Sequence, residues 1–184
     1  MPASGPPRWG WHRLASRWAE RVVADAGIRP GDLVVDVGAG TGSLTAPLVA
    51  AGARVIAVEL HPERLAVLRE RFAGDRVTVV RADASDLRLP RRPFRVVANP
   101  PFGVTSPLLR RLLAPGSQMV AADLVLQRSA ALRWADRRAP GAGRWARHHA
   151  VGLGRPIPRR AFAPPPPVDC TTLVIRRVAV SRRA

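Results

Sequence analysis

Cysteine is almost absent from this chain: Cys170 stands alone among 184 residues. That excludes an intramolecular disulfide and any metal site built from several thiolates, and it leaves a buried structural thiol as the expected role. Lysine is missing altogether; all 30 basic residues are arginine, set against only 13 acidic ones, for a formal net charge of +17. No apolar run approaches the ~18 residues of a membrane span. Residues 1–12 are rich in Pro, Gly and Trp and lack the apolar centre of a secretory signal, so a cytoplasmic protein without membrane or metal partners is expected. What is present, 47% hydrophobic and 23% charged residues, suits a globular protein, and the length suits one domain around a single core. A monomer is expected.

The excess of arginine points to a polyanionic partner. A guanidinium grips phosphate with a planar fork and stacks on bases, which suits RNA. Codon usage in a GC-rich genome accounts for the missing lysine, but not for the shortage of acids.

Apolar residues Leu14, Trp18, Val22 and Ala26 recur at helical spacing, which predicts a helix over 14–26. Runs rich in β-branched residues at 33–37, 54–58, 77–80 and 94–98 read as buried strands. Helices are expected at 42–51, 62–73, 106–113 and 127–137, with a strand at 119–126. Residues 139–147 read as a polar loop. Two last strands, 150–153 and 172–178, flank a proline-rich segment and would form an antiparallel hairpin at a sheet edge. Alternating strand and helix predict an α/β fold with a doubly wound, mostly parallel, seven-stranded sheet. The expected organisation is a basic N-terminal arm (1–13), one domain (14–178) and a short basic tail (179–184).

Asp36-Val37-Gly38-Ala39-Gly40-Thr41-Gly42 falls where the first of these strands meets a helix, the place where such sheets bind ligands. Glycines let the backbone approach a ligand closely. The spacing is GxGxG rather than the GxGxxG of dinucleotide sites. Glu59, at the end of the next strand, is placed to accept hydrogen bonds from ribose hydroxyls, with Leu60 beside it. A nicotinamide dinucleotide would satisfy the same pair, so the cofactor stays open here. Asp83 and Ala84 follow a third strand; the carboxylate either accepts from an adenine amine or caps a turn.

The most informative tetrapeptide is Asn99-Pro100-Pro101-Phe102. The prolines fix φ, push Asn99 away from helical dihedrals and contribute carbonyls without N–H groups. The Asn99 amide oxygen and the Pro100 carbonyl then form a stiff shelf of acceptors. An exocyclic nucleobase amine is a poor nucleophile because its lone pair is delocalised. Two acceptors would draw it towards tetrahedral geometry without a general base. Phe102 would stack on the base, a contact worth ~1–3 kcal/mol.

Taken together these residues, with Phe162-x-Pro164-x-Pro166-x-Val168, resemble the ribosomal RNA adenine N6-methyltransferases. The resemblance is greatest to the erythromycin-resistance branch and runs from about residue 10 to 177. It implies a Rossmann-like fold and S-adenosylmethionine held by Asp36, Gly38, Ala39, Gly40, Gly42, Glu59, Leu60, Asp83, Ala84 and Asn99. It also implies methyl transfer to an adenine of 23S rRNA, with macrolide-type resistance as the outcome, and a role for Phe162 in enclosing the target base. Two departures stand out. The family's Gln-Asn-Phe-Leu segment is Trp11-His12-Arg13-Leu14 here, and no helical C-terminal domain follows the last expected strand. RNA grip then falls to arginines such as Arg133, Arg137, Arg159 and Arg160, with Trp9, Trp11, Trp134 and Trp145 as stacking or core residues. A 16S rRNA or DNA adenine substrate, or an RNA-binding assembly factor without catalysis, are the alternatives.

Overall fold

A computed structural model describes residues 11–136 and 145–178. The chain opens with a two-residue strand, β1 (Arg13–Leu14), followed by α1 (Ser16–Ala26), β2 (Leu33–Val37), α2 (Thr45–Ala50), β3 (Arg54–Glu59), α3 (Pro62–Arg71) and β4 (Val77–Arg81). It continues through β5 (Phe94–Ala98), α4 (Thr105–Leu112), β6 (Met119–Gln127), α5 (Arg128–Ala135), β7 (His149–Ile157), β8 (Phe162–Ala163) and β9 (Cys170–Arg177). Seven strands form one sheet in the order β4-β3-β2-β5-β6-β9-β7. Only β9 runs against the rest, pairing antiparallel with both β6 and β7. The doubly wound, mostly parallel sheet expected from the sequence is therefore the one observed.

Period-two alternation divides the buried side chains between the two faces. Val35, Val37, Val58, Val96, Ala98, Leu124, Leu126, Leu173 and Ile175 meet α4 and α5 through Leu108, Leu109, Leu112 and Ala131. Val34, Val55, Ala57, Val97 and Val125 face the other way, onto Val22 and Val23 of α1, Leu48 of α2 and Leu68 of α3. Both faces are covered, which is why the central strands read as continuous apolar runs.

Two of the boundaries that differ from expectation have a clear physical cause. The first helix begins at Ser16, not Leu14, because Arg13 and Leu14 pair antiparallel with Ala163 and Phe162 of β8. Ala15 stays extended (φ −66°, ψ 144°), and its N–H donates to the Ala161 carbonyl at 2.9 Å. Second, β7 runs on to Ile157, through the start of the proline-rich segment, with a register shift between Leu153 and Pro156. As the outermost strand it tolerates a residue that cannot donate to a neighbour. The last helix is described as far as Ala135; Arg137 lies outside the described residues, as do Arg8, Trp9, Arg138, Arg144, Arg182 and Arg183. Among the described residues no helix is long and apolar enough to cross a membrane, and no cluster of three His, Cys, Asp or Glu side chains has metal-binding geometry.

Candidate active site

The sheet divides its crossovers between β2 and β5: β3 and β4 lie on one side, β6 on the other. Above the carboxyl ends of these strands, at that switch point, opens a cavity of about 410 Å³, within the range of small-molecule sites. Its wall includes Gly38, Glu59, Leu60, Asp83, Ala84, Asn99, Pro100 and Phe102. Eight of the expected site residues, brought from four strand ends, thus share one cavity.

The loop after β2 is built by backbone bonds. The Gly38 and Ala39 N–H groups both donate to the Val58 carbonyl, at 2.8 and 3.0 Å. Gly38 has φ +74°, and a Cβ there would lie 2.9 Å from Pro101 Cδ. Glycine at 38 therefore lets the cofactor loop and the Pro-Pro shelf touch. The other glycines serve packing. A Cβ on Gly40 would strike the Trp11 indole at 2.7 Å, and one on Gly42 would meet the Phe72 ring at 2.4 Å. Gly40, Gly42 and Ala39 stand behind the cavity wall and are not part of its lining.

Asp36 also sits elsewhere than expected. It is fully buried beneath the loop, where Thr45 Oγ1 donates to its Oδ2 at 2.7 Å and Oδ1 has no partner. Burial, with Glu59 nearby, raises its pKa from 3.8 to about 7 against the opposing Thr45 bond. Its work is to anchor the loop to α2. Glu59 is 5% exposed. Its Oε2 accepts from Gly40 N–H at 2.9 Å, and its Oε1 accepts from Leu60 and His61 N–H at 2.9 and 2.8 Å. These bonds fix the carboxylate at the cavity wall and leave spare lone-pair capacity on Oε2. Of the two roles the sequence left open for Asp83, the turn cap is the one observed. Its Oδ1 caps the turn by accepting from Ser85 N–H and Oγ, at 2.8 and 2.7 Å, while the residue remains on the wall. Those bonds hold its carboxyl below the usual range.

Across the cavity, Asn99 Nδ2 donates to the His12 carbonyl at 2.8 Å. Among the described residues nothing engages Asn99 Oδ1 or the Pro100 carbonyl, whereas the Pro101 carbonyl is taken by Val104 N–H at 3.0 Å. The acceptors expected at 99 and 100 are therefore the ones left over. Phe102 carries the His12 imidazole on its ring, centroids 5.3 Å apart and planes 25° from parallel.

Phe162 is not on the wall. It is 5% exposed, in the core with Leu14 and Ala161, and its strand holds β1 in place. Trp145 is buried in the core and Trp134 packs against it. Trp11 and His12, by contrast, line the cavity with Arg64, whose guanidinium lies 5.1 Å from the Trp11 ring centre. Residues 11–13 thus belong to the domain, not to a separate arm. Sequence reading passed over Arg64, Thr45 and the site role of His12. Arg133, Arg159 and Arg160 are exposed and off the cavity wall. The strands before them, β6 and β7, end on the same sheet edge as the cavity, joined there by Asp169: its carbonyl accepts from Arg128 N–H at 3.1 Å and its Oδ1 from Arg159 N–H at 2.7 Å.

This sheet order, with a nucleoside-sized cavity at the switch point, defines the Rossmann-like fold of the S-adenosylmethionine-dependent methyltransferases. Within that class, residues 15–181 match the family described as ribosomal RNA adenine dimethylase, and the chain belongs to it. It is 37% identical to a ribosomal RNA small subunit methyltransferase A of Anaeromyxobacter dehalogenans, covering 90% of this chain and 65% of that one. Identity to an rRNA adenine N-6-methyltransferase of Corynebacterium diphtheriae is 36%, over 79% of this chain and 58% of that one. The chain thus spans less than two thirds of these curated relatives. Among solved structures, the 23S rRNA methyltransferase ErmE superposes with a TM-score of 0.77 at 30% identity, covering 89% of this chain and 68% of that one.

Proposed function

We propose that this chain transfers methyl groups from S-adenosylmethionine to the N6 amine of an adenine in 23S rRNA, in the cytoplasm, and that macrolide-type resistance follows. The observation that carries the transfer step is the orientation of Asn99: with Nδ2 given to the His12 carbonyl, Oδ1 remains an acceptor beside the Pro100 carbonyl. The residues present fit the cofactor. Glu59 offers a carboxylate oxygen to ribose hydroxyls, Asp83 and Ala84 lie where an adenine edge would end, and Gly38 admits close backbone approach. When bound, S-adenosylmethionine supplies an electrophilic methyl on a sulfonium. Asn99 Oδ1 and the Pro100 carbonyl would each accept a hydrogen bond from the amine, freeing and aiming its lone pair while Phe102 holds the base plane; as the N–C bond forms the methyl's C–S bond breaks, and the nitrogen sheds one proton to solvent. Target adenines must leave the stack to reach this shelf.

Likeness to ErmE favours 23S rRNA. The 37% identity to a small subunit methyltransferase favours a second reading, 16S rRNA with the same chemistry. Incubation with tritiated S-adenosylmethionine and separate 23S, 16S and DNA substrates distinguishes them. Label in 23S rRNA is expected; label in 16S rRNA alone establishes the second reading, and label in DNA alone overturns both.

A further inference from the structure

The sequence from 11 to 14 departs from its family where the chain first enters the cavity, and the structure gives the departing residue specific work. His12 makes three contacts with the site. Its carbonyl accepts from Asn99 Nδ2 at 2.8 Å. Its ring stacks on Phe102. Its Nδ1 lies 2.8 Å from the Pro164 carbonyl, which can only accept, so Nδ1 carries the proton of that bond.

A primary amide turned by 180° would present its oxygen to the His12 carbonyl, acceptor against acceptor. The position of that one carbonyl therefore decides which atom of Asn99 faces the cavity. Little else holds the carbonyl there. The adjoining β1–β8 ladder has only two residue pairs, Arg13 with Ala163 and Leu14 with Phe162, and so short a pairing is marginal by itself. The imidazole bond to Pro164 adds a third tie at the end of the ladder nearest Asn99.

We propose that His12 is a positioning residue for the transfer step. Tethered to Pro164, it places its own carbonyl so that the Asn99 amide oxygen is presented to the target amine. This rests on the methyl-transfer reading of the site, but the geometric part is measurable without activity. Asn99 is the only asparagine in the sequence, so selective 15N-asparagine labelling of the full chain gives a single side-chain amide pair.

His12→Ala, and His12→Phe, which keeps a ring on Phe102 but has no donor for Pro164, should shift that pair and speed its solvent exchange at least tenfold. His12→Gln, which retains a donor, should leave it near the wild-type position. With rRNA as substrate, the Ala and Phe variants should lose at least tenfold in kcat, with affinity for S-adenosylhomocysteine within twofold of wild type by calorimetry. The Gln variant should recover most of the rate. An unmoved Asn99 signal in the Phe variant, a Gln variant no better than Phe, or cofactor affinity falling in step with kcat overturns the proposal. Wild-type protein that labels no nucleic acid would refute the methyl-transfer reading instead, while the amide signal still decides whether His12 orients Asn99.

Discussion

At Asn99 the chemistry rests on one side-chain oxygen, so its removal should be felt in turnover and little elsewhere. Asn99→Ala is expected to lower kcat about 10²–10³-fold, the scale of losing one preorganised polar group, with S-adenosylhomocysteine affinity within twofold by calorimetry. Near-wild-type turnover would remove the shelf from the mechanism. Gly38→Ala tests the opposite wall. A side chain at φ +74° and 2.9 Å from Pro101 Cδ forces the two loops apart, at about 1–2 kcal/mol for the backbone alone, and cofactor binding should fall more than tenfold in calorimetry of the still-folded protein. At Asp36 the expected effect is on pH dependence. A carboxyl raised from 3.8 to about 7 favours its protonated form in the folded state. Its penalty is absent below pH 3.8, grows as pH rises to about 7, and is constant above. The limit is roughly 4 kcal/mol by linkage. Asp36→Asn should therefore raise Tm over wild type at pH 8 and lose that advantage towards pH 4; parallel Tm–pH curves would contradict the assignment.

Among the elements, β6 and β9 are tied, beyond their ladder, by an ion pair whose carboxylate is buried and whose guanidinium is partly exposed. Asp123, with its side chain 3% exposed, receives both Arg176 guanidinium nitrogens at 2.8 and 2.9 Å. Removing the guanidinium leaves the Asp123 carboxylate without its partner, so Arg176→Met should cost about 1–3 kcal/mol. Adding Asp123→Asn should recover much of that, as read by denaturant unfolding. The sheet itself was legible in the sequence because each parallel strand is a short apolar run punctuated by glycine or proline. The strand ends were legible for the same reason: Gly38, Glu59, Asp83 and Asn99 each follow such a run directly. What local pattern could not show was β1, whose partner β8 is about 150 residues away, and with it the place of His12 against Phe102. The burial of Phe162 was hidden for a related cause. A motif gives a residue type at a loop, but the β1–β8 ladder decides that its side chain turns inward. Gly42 illustrates the limit from the other side, since the same residue type admits the Pro101 ring at 38 and the Phe72 ring at 42.

For the molecule as a whole, a net charge of +17 would make the proposed association with RNA strongly electrostatic. The logarithm of the binding constant should fall linearly with the logarithm of salt concentration, by about 0.7–0.9 per phosphate contacted. Arg159→Ala with Arg160→Ala should shallow that slope by one to two, measured by filter binding to rRNA transcripts; an unchanged slope would take these residues out of the grip. Cys170, buried and pushed up to about 12 by burial and the neighbouring Asp169 charge, should resist alkylation in the folded protein and react only on unfolding. The bond from His12 to the carbonyl of residue 164 spans 152 positions. During synthesis, the segment that steadies Asn99 must therefore wait, already outside the ribosome, for its counterpart to emerge. Under the proposal above, the geometry around Asn99 is therefore completed late, only after residue 164 has been made.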